Sequence, residues 1–306
     1  MVEPLLLFVH VPKTAGNTMR AILHRQYGRA ACLEIRWGPD MPPVPHLVLT
    51  AGVPYLTPWY RDRIQPGQAW YPEPLPLVAR RFQRLPEERR NQIRVIRGHM
   101  TFGLDHYLPV PAAYFTLLRN PADHVLSAYY YSTGHQPAVD DLYEQIVARL
   151  ESNMQTWILA GPHDSHLQPP PGEMLARAKD NLQACTVVGL TERFDETLLL
   201  LRRAFGWRWP LYVRRNVNRQ RPSSSAIPAG VRRRVEADNA LDVALYAEAR
   251  ARFKAQIVTY GPSFERDLRL FRAMNAAWQR GHRFKRRLRQ ASRALARRAG
   301  GQKESL

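Results

Sequence analysis

The chain has 306 residues, 45% of them apolar and 10% aromatic, which is enough to bury a core and too much for wholesale disorder. Two cysteines are too few for a disulfide framework, and no apolar run reaches the roughly 18 residues that a membrane span needs. The formal charge of +19 is uneven: residues 266–306 hold 13 Lys/Arg against Asp267 and Glu304, and the remainder is only modestly basic.

The first predicted element is a strand at Leu5–Val11, a continuous apolar run of the kind buried on both faces of a parallel sheet. Nothing ahead of it resembles a basic leader, so a cytoplasmic protein is expected. After the turn PKTAGNT, residues Met19, Ile22, Leu23 and Tyr27 recur at helical spacing up to a Gly28 stop. Residues 38–76 hold ten prolines and read as a long irregular excursion. A charged helix follows at Arg80–Arg90, with short buried strands at Ile93–Ile96 and Tyr114–Leu118.

Asn120 and Pro121 read as the cap and first residue of the next helix. Helices are expected at 139–160 and 173–184, a strand at Thr186–Leu190, and a helix capped by Asp195 and closed by Gly206. A last short strand at Leu211–Val213 and a helical stretch over 229–257 complete the body. Alternating strands and helices predict an α/β fold, a three-layer P-loop-like domain whose central parallel sheet is flanked by helices. The expected division is a domain at 1–264 and a basic helix or tail at 265–306 that is solvated or binds a surface.

The turn between the first strand and helix has the parts of an anion cradle. Gly16 admits close backbone approach, the helix start presents free N–H groups, Lys13 adds a charge, and Thr14 and Thr18 add hydroxyls. An ordinary turn with a surface lysine uses the same residues, and both readings stay open at this point. The loop is too short to wrap a diphosphate and its lysine precedes the glycine, so it suits a single phosphate and disfavours an ATP kinase. About a hundred residues on, Arg119 ends a strand and Ser127 sits two turns up the next helix, where both can converge on one anion.

The segments HVPKTAGNT, RGHMTFGL, LLRNPADHVLSAYYY, SNMQTWILAG, VVGLTERFDETLLLLRRAFGW and NALDVALYAEARARF resemble the carbohydrate-type sulfotransferases, in particular the family that includes heparan sulfate 2-O-sulfotransferase. The resemblance implies use of 3′-phosphoadenosine 5′-phosphosulfate, abbreviated PAPS, without a metal. It assigns the 5′-phosphosulfate to Lys13, Thr14, Ala15, Gly16, Asn17 and Thr18, and the 3′-phosphate to Arg119 and Ser127. Asn17 stands where relatives carry a small hydroxyl residue. Arg219 and Arg221 resemble a basic loop that closes over the nucleotide.

Sulfuryl transfer needs a base for the acceptor hydroxyl and a cation at the leaving oxygen. Lys13 is the natural cation, and His99, directly after a strand, matches the family's catalytic histidine. His10 reads as a structural histidine, His106 as a reserve base, and His163 with His166 as loop residues. The implied acceptor is a hydroxyl of a carbohydrate or glycolipid, with no specific nucleic acid partner. The basic tail allows contact with an anionic membrane surface or a polyanion, and hence peripheral membrane association. Two other functions remain in view: an ATP-dependent phosphotransferase, and a polyanion binder acting through the tail.

Overall fold

A computed structural model describes residues 3–35, 48–49, 74–133, 141–148, 150–161, 169–213 and 227–301. The strands are β1 (Leu5–Val9), β2 (Cys32–Ile35), β3 (Val48–Leu49), β4 (Val95–Gly98), β5 (Ala112–Leu118) and β6 (Val187–Leu190). They form one sheet in the order β3-β2-β4-β1-β5-β6, and every pairing is parallel. All five residues of β1 and all four of β4 and β6 are buried. Successive strand residues point to opposite faces, so the middle of the sheet is covered on both.

The amino-half helices are α1 (Gly16–Tyr27), α2 (Pro74–Gln83), α3 (Glu87–Gln92) and α4 (Pro121–Thr133). They are followed by α5 (Leu142–Val147), α6 (Met154–Ala160), α7 (Pro171–Ala184), α8 (Phe194–Phe205), α9 (Ala229–Asp238), α10 (Ala240–Tyr260) and α11 (Phe264–Gly301). Met19, Ile22 and Leu23 of α1 are fully buried, as their spacing predicts. Asn120 caps α4 by accepting the Asp123 N–H through its side chain at 3.2 Å. Gly206 closes α8 in the left-handed conformation at φ 63°.

Several local expectations change. Pro86 divides the charged helix into α2 and α3. Asp195 lies in the first turn of α8 rather than at its cap, and its carboxylate accepts the Tyr212 hydroxyl at 2.8 Å. Leu211–Val213 joins no sheet; Tyr212 instead donates its N–H to Asn275 of α11 at 2.8 Å. The strand at Cys32–Ile35, unforeseen from its short and mixed pattern, is held between β3 and β4.

The single helix expected over 139–160 is two helices: α5 ends at Val147, and α6 starts at Met154 after Asn153, which adopts a left-handed conformation at φ 57°. Its side-chain oxygen accepts the N–H groups of Leu241 and Asp242, and its own N–H bonds Asn239. Asp242 then caps α6 from another helix. Its buried carboxylate accepts the N–H of Gln155 at 3.2 Å and the N–H and hydroxyl of Thr156 at 2.7 Å. Two helix starts are thereby stapled together by residues nearly ninety positions apart in sequence.

Asp242→Ala is expected to lower the free energy of unfolding by about 3 kcal/mol, because three buried donors lose their acceptor. Asp242→Asn should cost less, and the urea midpoints of the two variants give the comparison.

Candidate active site

The strand order itself places a crevice. From β1 the chain passes to β2 on one side of the sheet, and from β5 it passes to β6 on the other. Between β1 and β5 the connections diverge, and ligand sites of parallel sheets lie at such divergences, beyond the carboxyl ends of the strands. The residues delivered there are the turn after β1 and Arg119 after β5, with His99 after β4 on the other flank of β1.

The turn after β1 is strained. Lys13 and Ala15 both take positive φ, 64° and 67°, which costs about 1–2 kcal/mol for each residue with a Cβ. Three bonds hold it there. The Thr14 hydroxyl donates to the Val11 carbonyl at 2.7 Å, His124 Nε2–H donates to the Pro12 carbonyl at 2.9 Å, and Arg119 Nη1 donates to the Lys13 carbonyl at 3.1 Å. In a trans peptide the N–H points opposite to the preceding C=O. Fixing the Pro12 and Lys13 carbonyls therefore aims the N–H groups of Lys13 and Thr14 away from α4 and Arg119. Among the described residues, the N–H groups of Ala15 and Gly16 have no hydrogen-bond partner. A pair of such donors at the start of α1 is the chemistry of an anion cradle. Thr14 is fully buried and its hydroxyl proton stays within the loop, so it braces the turn from inside.

One face of α4 lies against this turn. His124 reaches the Pro12 carbonyl, and seven residues on, the Lys13 ammonium sits 3.5 Å from the centroid of the Tyr131 ring. Ser127, three residues after His124 and four before Tyr131, occupies the same face between them. Arg119 is positioned through its backbone: Gln155 accepts its N–H and donates to its carbonyl, both at 2.9 Å. Gln155 is itself the start of α6 that Asp242 caps. A continuous bonded path thus runs from α10 through α6 to Arg119 and the Lys13 carbonyl.

On the other flank two imidazoles meet. The His10 and His99 ring centroids are 4.6 Å apart at 37°, and the His10 N–H donates to the Gly98 carbonyl. A methyl group at Gly16 would lie 1.9 Å from His10 Nε2, so this loop position is glycine because the His10 ring fills the space of a side chain. Burial, and then the positive fields of His99, Arg97 and Lys13, hold His10 neutral well below the usual imidazole range. The His124 ring, also buried, is pushed down to about 4 despite its bond to Pro12. Arg97 is buried and its guanidinium pairs with Glu34 on the neighbouring strand, which gives it a structural partner at the sheet edge.

Lys13, Thr14, Ala15, Gly16, Asn17, Thr18, His99, Arg119 and Ser127 are therefore all delivered to one sheet edge and the helices bordering it. His106 is exposed beside Asp105. Arg219, Arg221, His163, His166 and the bulk of the 38–76 excursion lie outside the described residues. Of the run Tyr129–Tyr131, two rings are buried in packing and Tyr131 lies against the Lys13 ammonium. No cluster of three or more His, Cys, Asp or Glu side chains suited to a metal occurs among the described residues.

A family model for galactose-3-O-sulfotransferases matches residues 145–304, just over half of the chain. The chain belongs to the galactose-3-O-sulfotransferase family. Galactose-3-O-sulfotransferase 3 of Bos taurus and of Homo sapiens are each 26% identical over 201 residues, covering 58% of this chain and 47% of the relative. Galactose-3-O-sulfotransferase 2 of Sus scrofa is 29% identical over 194 residues, covering 57% and 48%. The chain spans about half the length of the curated relatives it matches. The matched family and these relatives are galactose-3-O-sulfotransferases, whereas the motifs resemble heparan-type relatives. The matched residues include Gln155 and Asp242, which brace Arg119, while the Lys13 turn and Arg119 precede them.

His124 and Gln155 border the site and are not singled out by the motifs, whereas His10, expected to be structural, packs against His99 and Gly16. His124 had a usable signal: it lies three residues before Ser127, on the face that must meet the loop.

Two expectations follow from the buried rings. The unfolded chain binds a proton at His124 below about pH 6.5, whereas the folded chain resists until about 4. That contribution is thus absent above 6.5 and destabilises increasingly as pH falls to 4, by up to about 3 kcal/mol. Denaturant titrations should show that His124→Gln flattens this acid loss. Gly16→Ala should displace the His10 ring, and shifted imidazole proton resonances of both His10 and His99 would register it.

Proposed function

We propose that the chain transfers a sulfuryl group from PAPS to a hydroxyl of a carbohydrate, in a three-layer, P-loop-like domain. The observation that carries this reading is the pairing of a short anion cradle with Arg119 across one switch point, with carbonyl bonds joining the two. The cradle fits a single phosphate-type group: its donors are backbone N–H groups, its glycine leaves no room for a side chain, and its cation is one lysine. Arg119 and Ser127 supply a second, separate anion site, which suits a nucleotide phosphorylated at two places rather than a linear triphosphate.

Bound PAPS supplies the sulfuryl group. The N–H groups of Ala15 and Gly16 and the Lys13 ammonium would hold its 5′ end, and Lys13 would leave the Tyr131 ring to offset charge on the leaving group as it departs. Arg119 and Ser127 would hold the 3′-phosphate, with Arg219 and Arg221 contributing from the stretch of sequence before α9. His99, at the carboxyl end of β4, accepts the proton of the acceptor hydroxyl as the oxygen attacks sulfur in line, without a metal. His10, kept neutral, packs on His99 without adding charge and stabilises its ring position. The names of the relatives make a galactose residue the first acceptor to try, on an oligosaccharide or glycolipid.

Titration calorimetry in EDTA should give tight binding of adenosine 3′,5′-bisphosphate and none of ATP; the reverse result would assign the fold to an ATP phosphotransferase. His99→Ala should keep nucleotide affinity while turnover falls by about 100-fold or more. Lys13→Ala should weaken both. Retained turnover in His99→Ala would remove that residue from proton transfer.

A further inference from the structure

We propose that the distal half of α11, from Arg280 to Gly301, is an interfacial helix that seats the protein on an anionic lipid surface. The inference is independent of the nucleotide reading, since it rests on the helix alone.

The helix carries two apolar rows on opposite faces. Phe264, Leu268 and Phe271 are buried in the core, and Asn275, also buried, continues their row by binding the Tyr212 N–H. At about 100° per residue this row stays on one side of the helix. A second row, Leu270, Ala277, Phe284, Leu288, Ala291 and Leu295, lies about 180° from the first by the same arithmetic. Where its side chains are described they meet solvent: Leu270 is 48% exposed and Phe284 63%. Gly281, His282 and Arg283 before Phe284 are exposed as well, so the helix has left the body by this point.

Between Arg280 and Gly301 there are nine Lys/Arg and no Asp/Glu. Those 22 residues extend about 33 Å. An apolar row bordered by arginines on an unaccompanied helix is suited to the boundary between headgroups and acyl chains, with cations meeting lipid phosphates and Phe284 and Leu288 entering below them. A second copy of the helix fits poorly. The second row has heptad-like spacing, yet the flanking positions Arg280, Lys285 and Arg287 would face one another as like charges. A soluble acidic polymer would satisfy the cations and leave the apolar row without a purpose.

The experiment is co-sedimentation of the full chain with vesicles of phosphatidylcholine alone or mixed with phosphatidylglycerol, alongside heparin binding in solution. The wild type should sediment with the anionic vesicles and not with the neutral ones. Phe284→Ser combined with Leu288→Ser should weaken vesicle binding by at least about tenfold, and heparin binding by less than about twofold. Arg286→Gln combined with Arg287→Gln should weaken both. Undiminished vesicle binding by the apolar variant would make the tail a polyanion site and overturn the proposal. So would a wild type that ignores anionic vesicles or elutes as a dimer. A lowered melting temperature in the apolar variant would place the second row in the packing of the body, with the same consequence.

Discussion

Three consecutive carbonyls, those of Val11, Pro12 and Lys13, are each tied by a different side chain, and the shape of the site depends on that restraint. A turn with two non-glycine residues at positive φ would relax if left alone. Here Thr14 braces it from within, His124 from α4 and Arg119 from the end of β5. Because peptide planarity couples each carbonyl to the following N–H, restraining the oxygens on one side orients the donors on the other. The bracing also joins the turn and Arg119 mechanically. Arg119 offers part of its guanidinium to the loop, so the cradle and the arginine hold a fixed relation before any ligand arrives.

The electrostatics agree with that geometry. Lys13 and Arg119 bring positive charge to the crevice, while the imidazoles nearest them, His10 and His124, are held neutral by burial and by those same cations. Arg97, which would otherwise add a buried charge, is offset by Glu34. The result is a pocket edge with a positive excess concentrated on the groups that face the crevice, which favours an anionic ligand and discourages protonation of the rings around it.

The long helix α11 belongs to two environments. Its first three turns complete the core through Phe264, Leu268 and Phe271 and support the 211–213 segment through Asn275. The remainder continues on the same backbone periodicity, with Leu270 and Phe284 turned to solvent. A boundary drawn at residue 264 from charge alone therefore falls ahead of residues that the core needs, since composition reports the arginines and not the few apolar side chains between them.

What could be read from the residues in order was whatever depends on near neighbours: the buried run of β1, the cap at Asn120, the glycine stops after α1 and α8, and the two phosphate-type motifs with their spacing. Those signals rest on periodicity of 2 or 3.6 and on backbone preferences, which act locally. The break at Asn153, the cap supplied by Asp242, the clamp of Gln155 on Arg119 and the meeting of His10 with His99 were decided by tertiary structure. Each joins groups from separate elements, and a side chain's partner across the sheet edge leaves no periodic trace in its own segment. Sequence alone thus determined which elements form and which residues carry charge to the crevice; only folding decided which carbonyls are restrained, and so where the free N–H groups point.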